Sequence, residues 1–382
     1  MSGWEVRGWC PGALRPMLSG DGLVVRIRPP MGRLTPVQAE AVARAALAHG
    51  NGIIDLSARA NLQLRGVTEA SHPALIDDLR VQGLIDQDIA TESLRNLIVT
   101  PFRDAGTMAL AATLTAALAR MPQLPGKFGF ALDTGPRPVL ADASADIRVE
   151  RDGQGRLILR PEGHPLGLPV TDLAEDAVAM AGWFVSNGGV IQGRGRMAAL
   201  VARGIVPPGC ALAPADPLPA PGPGLHPDGA LVALAFGQMG AETLVALAAL
   251  GHEIRPTPWR MLFLAGATGL PAITGLITDP ADPILRITAC TGAPACPQAL
   301  GDTRSLARAL APELAAGQTL HISGCAKGCA RPGPAPTVLT ATGQGHDLIQ
   351  NGTASATPSL RHLSPKAIQD HLKAIHAPSL SD

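Results

Sequence analysis

Four of the six cysteines fall within forty residues, Cys290 and Cys296 in ITACTGAPACPQAL and Cys325 and Cys329 in HISGCAKGCARP. Each pair follows a short strand-like run and sits in a segment containing glycine or proline, which lets several thiolates converge on one point without strained backbone. The pattern is C-x5-C, a gap of 28 residues, then C-x3-C. Zinc sites prefer tighter first pairs, with about two to four intervening residues, whereas an iron-sulfur cube spreads its thiolates further apart. The spacing therefore points to a [4Fe-4S] cluster, with zinc, a disulfide pair or buried unreactive cysteines as the competing readings. Cys10 and Cys210 have no partner at a ligand spacing and are expected to be small buried apolar residues. Lys327, inside the second pair, would place a cation beside an anionic cluster; a solvated loop lysine is the plain alternative.

A second set of side chains is basic. In DLSARANLQLRG, period-2 alternation puts Arg59, Asn61, Gln63 and Arg65 on one face of a strand, where simple solvent exposure would also account for them. Arg95 lies in LRNLI and Lys127 in LPGKFGF, one of only four lysines in the chain. Residues 1–67 carry eight arginines against four acids, a local excess within a chain of zero net charge. None of the ten histidines forms a metal signature, and His321 is expected to be a hydrogen-bonded strand histidine. Gly193-Arg194-Gly195-Arg196-Met197-Ala198 comes nearest to a dinucleotide fingerprint, but it leads into a proline-rich segment and not into a strand-helix-strand unit. Electrons for any redox chemistry are therefore expected from a separate donor, a reductase or a small ferredoxin-like carrier.

The elements that must position these residues begin with a break. Eight prolines fall within Pro207–Pro227, which predicts an extended connector belonging to no sheet or helix. On either side stands a strand-helix-strand unit. Asp21-Gly22 and Asp228-Gly229 each open a strand, helices follow over Thr35–His49 and Ala241–Leu250, and Ile54, Leu62 and Leu64 match Ile254, Leu262 and Leu264 at a constant offset of 200. Between the repeats, helices are expected at about 105–121 and 171–186, with strands at about 127–132, 146–150 and 156–160. After them come strands at 284–288 and 319–323, and helices at 303–316 and 365–375. The implied organisation is a half domain over 1–70, an α/β lobe over 71–206, a linker over 207–227, a second half domain over 228–283 and a cysteine-bearing lobe over 284–382.

The composition limits the possibilities. With 46% hydrophobic and 16% charged residues the chain is folded, and zero net charge removes the global electrostatic case for binding nucleic acid. The most apolar stretches, 109–119 and 230–250, are too short or interrupted by Gln238 and Glu242, so no membrane span is expected. Arg7 and Arg15 interrupt any signal-peptide core, and the expected compartment is the cytoplasm, where clustered cysteines suggest metal or redox work.

These motifs together resemble the nitrite/sulfite reductase superfamily. Within it, Ser323-Gly324-Cys325-Ala326-Lys327-Gly328-Cys329-Ala330 and Arg7-Gly8-Trp9-Cys10-Pro11-Gly12 are most similar to the precorrin-3B synthase family of aerobic cobalamin biosynthesis. The resemblance implies an α+β, pseudo-twofold fold with two ferredoxin-like half domains and two cofactor-facing α/β lobes. It implies Cys290, Cys296, Cys325 and Cys329 as ligands of a [4Fe-4S] cluster. Arg59, Arg95 and Lys127 would be catalytic cations, and Asn61, Gln63 and Arg65 would lie on the strand that contacts the tetrapyrrole. The substrates implied are precorrin-3A and O2, with a mononuclear non-haem iron as a further cofactor for which no ligands are identified. One departure is informative: relatives that reduce sulfite or nitrite usually carry a second lysine two residues after the first, and here that position is Gly129. The rival readings are a sirohaem nitrite or sulfite reductase, in which Cys329 would bridge cluster and haem, and a non-catalytic tetrapyrrole-binding or electron-transfer protein.

Overall fold

The computed structural model describes residues 11–376, with side chains through residue 373. Cys10 and the Arg7-Gly8-Trp9 part of its motif lie outside these residues. The described residues divide into two compact units, one formed by Leu18–Gly22 with residues 279–376, the other by residues 11–17 and Leu23–Thr278.

In the larger unit the repeat seen in the sequence becomes two half domains. Thr35 begins the first helix, Pro36–His49, with a reciprocal capping box to Gln38 and Pro36 in the first turn, which satisfies backbone donors that the helix leaves open. Its buried face is Ala39, Val42, Ala43, Ala45 and Ala46, while Val37 and Leu47, apolar by sequence, are exposed. The counterpart helix is Ala241–Ala248. Backbone detail repeats too. Met31 (φ +51°) and Phe236 (φ +59°) share a left-handed conformation unusual for bulky residues, as do Ala60 (φ +55°) and Arg260 (φ +61°). In both hairpins a hydroxyl holds the turn: Ser57 Oγ accepts the Asn61 N–H and Thr257 Oγ1 accepts the Met261 N–H.

The halves exchange backbone. Gln238–Gly240, from the second half, adds to the sheet of the first, pairing Met239 with Ile54; reciprocally, Leu34 of the first half bridges Ile254 of the second. One core results, in which Leu34, Ile54, Leu62 and Leu64 pack with Leu244, Ile254, Leu262 and Leu264, all fully buried. At about 25 cal/mol per Å² of apolar surface, a shared core of this kind ties the folding of each half to the other.

The lobe between the halves is a five-stranded sheet in chain order, Leu97–Val99, Phe130–Leu132, Ile147–Arg151, Leu157–Pro161 and Leu168–Pro169. The first two pairings are parallel and the last two antiparallel. The cysteine-bearing unit repeats that scheme with Ile287–Ala289, Leu320–Ser323, Ala335–Thr342, Gly345–Gly352 and Leu360–Leu363. In each lobe the helix after the first strand starts on an aspartate, Asp104 accepting from the Thr107 N–H and Asp302 from the Ser305 N–H. The long hairpin Ala335–Gly352 is not foreseen by the sequence reading.

The proline-rich segment departs from expectation at one point. Gly224–His226 forms a strand, antiparallel to Gly229–Leu231, at the edge of the second half domain's sheet. An edge strand needs only one set of partners, so the neighbouring Pro223 and Pro227 cost it little. Upstream the segment is strapped to the first lobe: the Ala215 N–H donates to Arg151 O, the Leu218 N–H to Pro138 O, and Arg137 to the carbonyls of Asp216 and Pro217. Among the described residues no helix is long and apolar enough to cross a membrane.

Candidate functional site

In the cysteine-bearing unit, Ile287–Ala289 runs into Cys290 and Leu320–Ser323 runs into Gly324 and Cys325. The strands are parallel neighbours with Ala289 opposite Ile322, so both loops leave the same edge of the sheet. Backbone bonds then fold the loops together. The Cys290 N–H donates to Ile322 O, the Leu300 N–H to Gly324 O (2.7 Å), and the Thr303 hydroxyl to Cys290 O (2.7 Å). The Gly324 N–H points at Cys290 Sγ (3.2 Å), and a side chain at Gly324 would come within 2.7 Å of Ala299 Cβ. The Ser19 hydroxyl and the Gly20 N–H both donate to Ala295 O, pinning the first cysteine loop.

Burial pushes the Cys329 thiol up; the nearby positive charge of Lys327 lowers it, and Cys325, Cys290 and Cys296 push it further up. The other three thiols therefore lie within electrostatic reach of Cys329. Among the described residues no three His, Cys, Asp or Glu side chains close into a group that would hold a single ion. Were a cluster bound, Cys290, Cys296, Cys325 and Cys329 would hold it, with the Gly324 N–H directed at one sulfur and the charge of Lys327 near another.

Two expectations change here. Cys210 is half-buried, because it lies in the extended segment strapped across the lobe surface. His321 sits in a strand as expected and is buried, but neither ring nitrogen has a hydrogen-bond partner among the described residues. Burial, with the charge of Arg331 adding, depresses its pKa to about 4, so the ring is neutral at physiological pH.

In the larger unit, alternation misplaces Arg59. The strand begins at Leu62, and Arg59 belongs to the hairpin turn before it, held by the Ser57 hydroxyl, which accepts the N–H groups of Arg59 and Asn61. Gln63 and Arg65 do lie on the strand. A polar row crosses four strands, Arg26 opposite Gln63, Gln63 opposite Asp55, and Asp55 opposite Gln238, with Gln238 donating to Asp55 (3.0 Å) and Arg65 Nε 3.8 Å from the same carboxylate. Asn61 and Arg65 are buried. The equivalent face of the second half is apolar and aromatic, with Leu231 opposite Phe263 and Arg255 stacked over the Phe263 ring at 5.7 Å. Duplication supplied two such faces, and only the first carries the polar row.

Arg59 Nη2 donates to Lys127 O (2.9 Å) and to the Ser144 hydroxyl (3.1 Å). Lys127 occupies an exposed turn pinned by Phe128, whose ring packs on Phe184 at 4.8 Å. Asp146, fully buried, is the hub beneath this turn: it accepts the N–H groups of Gly129 (2.9 Å) and Met197 (2.8 Å), and Arg196 Nε (2.9 Å). A side chain at Gly129 would meet Asn96 O at 2.9 Å and Arg59 Nη1 at 3.1 Å. Arg95 stands differently. Its guanidinium makes a bidentate pair with Asp86 (2.8 Å each) and donates to Arg28 O, so a carboxylate of the protein already answers the charge that the sequence reading offered to an anion.

With this geometry in view, residues 15–82 match the nitrite/sulfite reductase ferredoxin-like half domain. The chain is 32% identical to a precorrin-3B synthase of Sinorhizobium sp over 92% of its own length and 84% of that protein's. The chain belongs to the precorrin-3B synthase family. Among solved structures it resembles the NirA protein of Mycobacterium tuberculosis, with a TM-score of 0.62 over 94% of this chain and 82% of that one; at 18% identity the likeness is one of fold. The α+β nitrite/sulfite reductase-like fold expected from the motifs is thus the fold of this precorrin-3B synthase family member.

Sequence reasoning missed Asp146, Ser144, Asn96 and Arg196. The one available signal was Arg196, set aside with its glycine-rich segment as a weak fingerprint. Gly195 has no room for a side chain, since a Cβ would overlap the Gly189 carbonyl oxygen. Gly195→Ala is therefore expected to lower the melting temperature by several degrees, at roughly 2–4 °C per kcal/mol, in a thermal melt followed by circular dichroism; an unchanged melt would show that the turn yields freely.

Proposed function

We propose that the chain is a precorrin-3B synthase in its chemistry as well as its family, hydroxylating precorrin-3A at C20 with O2 and forming a γ-lactone from the ring A acetate in aerobic cobalamin biosynthesis. The observation that carries this reading is Gly129. Where related sulfite and nitrite reductases have a second lysine, a side chain would run into Asn96 and Arg59. The cation set suited to an accumulating oxyanion charge is therefore reduced, and the remaining cations suit the carboxylates of a tetrapyrrole rim.

In this reading Cys290, Cys296, Cys325 and Cys329 hold a [4Fe-4S] cluster, which when bound supplies electrons one at a time. No residues of this chain are assigned to a mononuclear iron. Hydroxylation places one atom of O2 in the substrate and reduces the other to water, which takes two electrons and so requires an external donor. Arg59 and Lys127 hold substrate carboxylates, Asn61, Gln63 and Arg65 line the polar face of the first half domain, and Arg95 braces the wall through Asp86.

The test is anaerobic purification with iron, sulfide and zinc analysis and a visible spectrum, followed by turnover of precorrin-3A with O2 and an electron donor. Cluster absorption without sirohaem bands, together with hydroxylated product, is expected. Sirohaem bands would move the reading to a reductase, and binding without turnover to a carrier. Lys127→Ala is expected to leave iron and sulfide unchanged and to weaken substrate affinity by about tenfold, the loss of one charge-assisted contact. An unchanged affinity and rate would remove Lys127 from the site.

A further inference from the structure

Glu253 gathers three arginines. Leu34 and Ile254 exchange backbone hydrogen bonds of 2.8 and 2.9 Å, an isolated antiparallel bridge with both side chains buried in the core. Residues flanking such a bridge turn to its other face, so Arg33 stands opposite Arg255, with Glu253 beside them. Arg33 Nη1 donates to Glu253 Oε2 (2.7 Å) and Arg255 Nε to Oε1 (2.7 Å). Arg103, from the loop after Leu97–Val99, reaches Oε1 with Nη2 at 3.5 Å, while its Nη1 donates to Met31 O (2.9 Å).

Three guanidinium charges against one carboxylate leave a surplus of two. The neighbouring acid, Asp104, is turned to its own helix, accepting the Thr107 N–H (2.7 Å) and hydroxyl (2.8 Å). Arg255 also donates to Pro101 O and stacks over Phe263, and among the described residues no other acidic side chain pairs with the three arginines. Arg33 Nη2 and Arg255 Nη2 have no acceptor among these residues, and Arg103 Nε is buried without one. Burial depresses the Arg103 pKa to about 10, with the charge of Arg255 adding to the fall and Glu253 opposing it. The side chains are 0% exposed at Arg103, 13% at Arg255, 23% at Glu253 and 39% at Arg33, so the group opens to solvent at Arg33. Like charges set opposite one another weaken a strand pairing, and an anion at this opening would relieve them.

We propose that Arg33, Arg255 and Arg103 bind a phosphate group at this opening, with Glu253 holding the three guanidinium groups together. A phosphate monoester carries about −1.5 to −2 at neutral pH, which matches the surplus of two, and it presents several oxygens to forked donors. A carboxylate would answer only half of that charge. The phosphate comes either free or as part of a nucleotide, and the site does not rest on the reading of the substrate.

The experiment is isothermal titration calorimetry of the full chain with inorganic phosphate and with adenosine 5′-monophosphate, adenosine serving as the control, and a thermal melt of each protein. Saturable phosphate binding with a Kd on the order of 1 mM or tighter is expected, with no heat from adenosine. Phosphate at about ten times Kd should raise the melting temperature on the order of 3 °C. A tighter Kd for the nucleotide than for phosphate assigns the ligand to a nucleotide, and an equal one assigns it to free phosphate. Arg33→Gln is expected to raise the phosphate Kd about tenfold and to abolish the shift in melting temperature, while its own melt without ligand stays within about 2 °C of wild type, because Arg33 is the most exposed of the group. Arg33→Lys keeps the charge but not the fork, and should raise Kd about threefold. No saturable binding of either probe up to about 10 mM overturns the site. A phosphate Kd within twofold of wild type in both Arg33 variants places the anion elsewhere and overturns it too. So does a loss of precorrin-3A affinity in Arg33→Gln with phosphate binding unchanged, which would give these arginines to the substrate.

Discussion

Cys325→Ser is expected to yield a folded chain that retains less than about a tenth of the wild-type sulfide and turns over precorrin-3A on the order of 10³-fold more slowly, because a cube held at three corners loses iron and with it the electron path. Serine matches cysteine in shape but its hydroxyl does not ionise at neutral pH, so the corner has no anionic ligand. The fold survives because the lobe has its own core: Ala335, Val338, Ile349 and Ala354 pack behind the loop independently of any thiol. Cys210→Ser is the matched control and should retain full iron and sulfide, since Cys210 lies in the strapped proline-rich segment. Iron and sulfide analysis with a visible spectrum reads both variants. Full sulfide in Cys325→Ser would sink the quartet, and zinc without sulfide in the wild type would replace the cluster with a structural metal.

The second large effect is expected at Asp146→Ala. Asp146 is fully buried and joins three elements through the Gly129 N–H, the Met197 N–H and Arg196 Nε. Removing the carboxylate leaves two backbone donors and a guanidinium without their acceptor, and breaking a buried pair from one side costs about 3–5 kcal/mol. At roughly 2–4 °C per kcal/mol, the melting temperature of the larger unit should fall on the order of 10 °C. Affinity for substrate should fall with it, because the Lys127 turn and the Arg196 turn share this anchor. Asp146→Asn, which keeps an acceptor, should cost less. Calorimetry on the three proteins decides the matter, and a shift under about 2 °C for Asp146→Ala would mean that the hub bears little weight.

Some of this was visible without coordinates. That the two cysteine loops lie side by side was legible because each pair follows a short strand and turns on glycine or proline. The offset of 200 between Ile54 and Ile254 was legible because both copies must bury the same face of the same strand. The repeat of the two lobes was not, because it resides in strand order and direction while loop lengths and side chains differ. Alternation carried Arg59 onto a strand because Ala60, unlike glycine, gives no warning of its left-handed turn.

The sequence by itself determined what is local or periodic: the helices with their caps, the strand-helix-strand repeat and the cysteine spacing. Only the tertiary structure decided that Met239 pairs with Ile54 while Leu34 bridges Ile254, that Arg95 is answered by Asp86, and that Arg59 and Arg196 meet at Ser144. Those outcomes turn on which buried polar group finds which partner across 50 or more residues in most cases. That choice is made by packing and the cost of an unmet charge, and neither leaves a periodic trace in the chain.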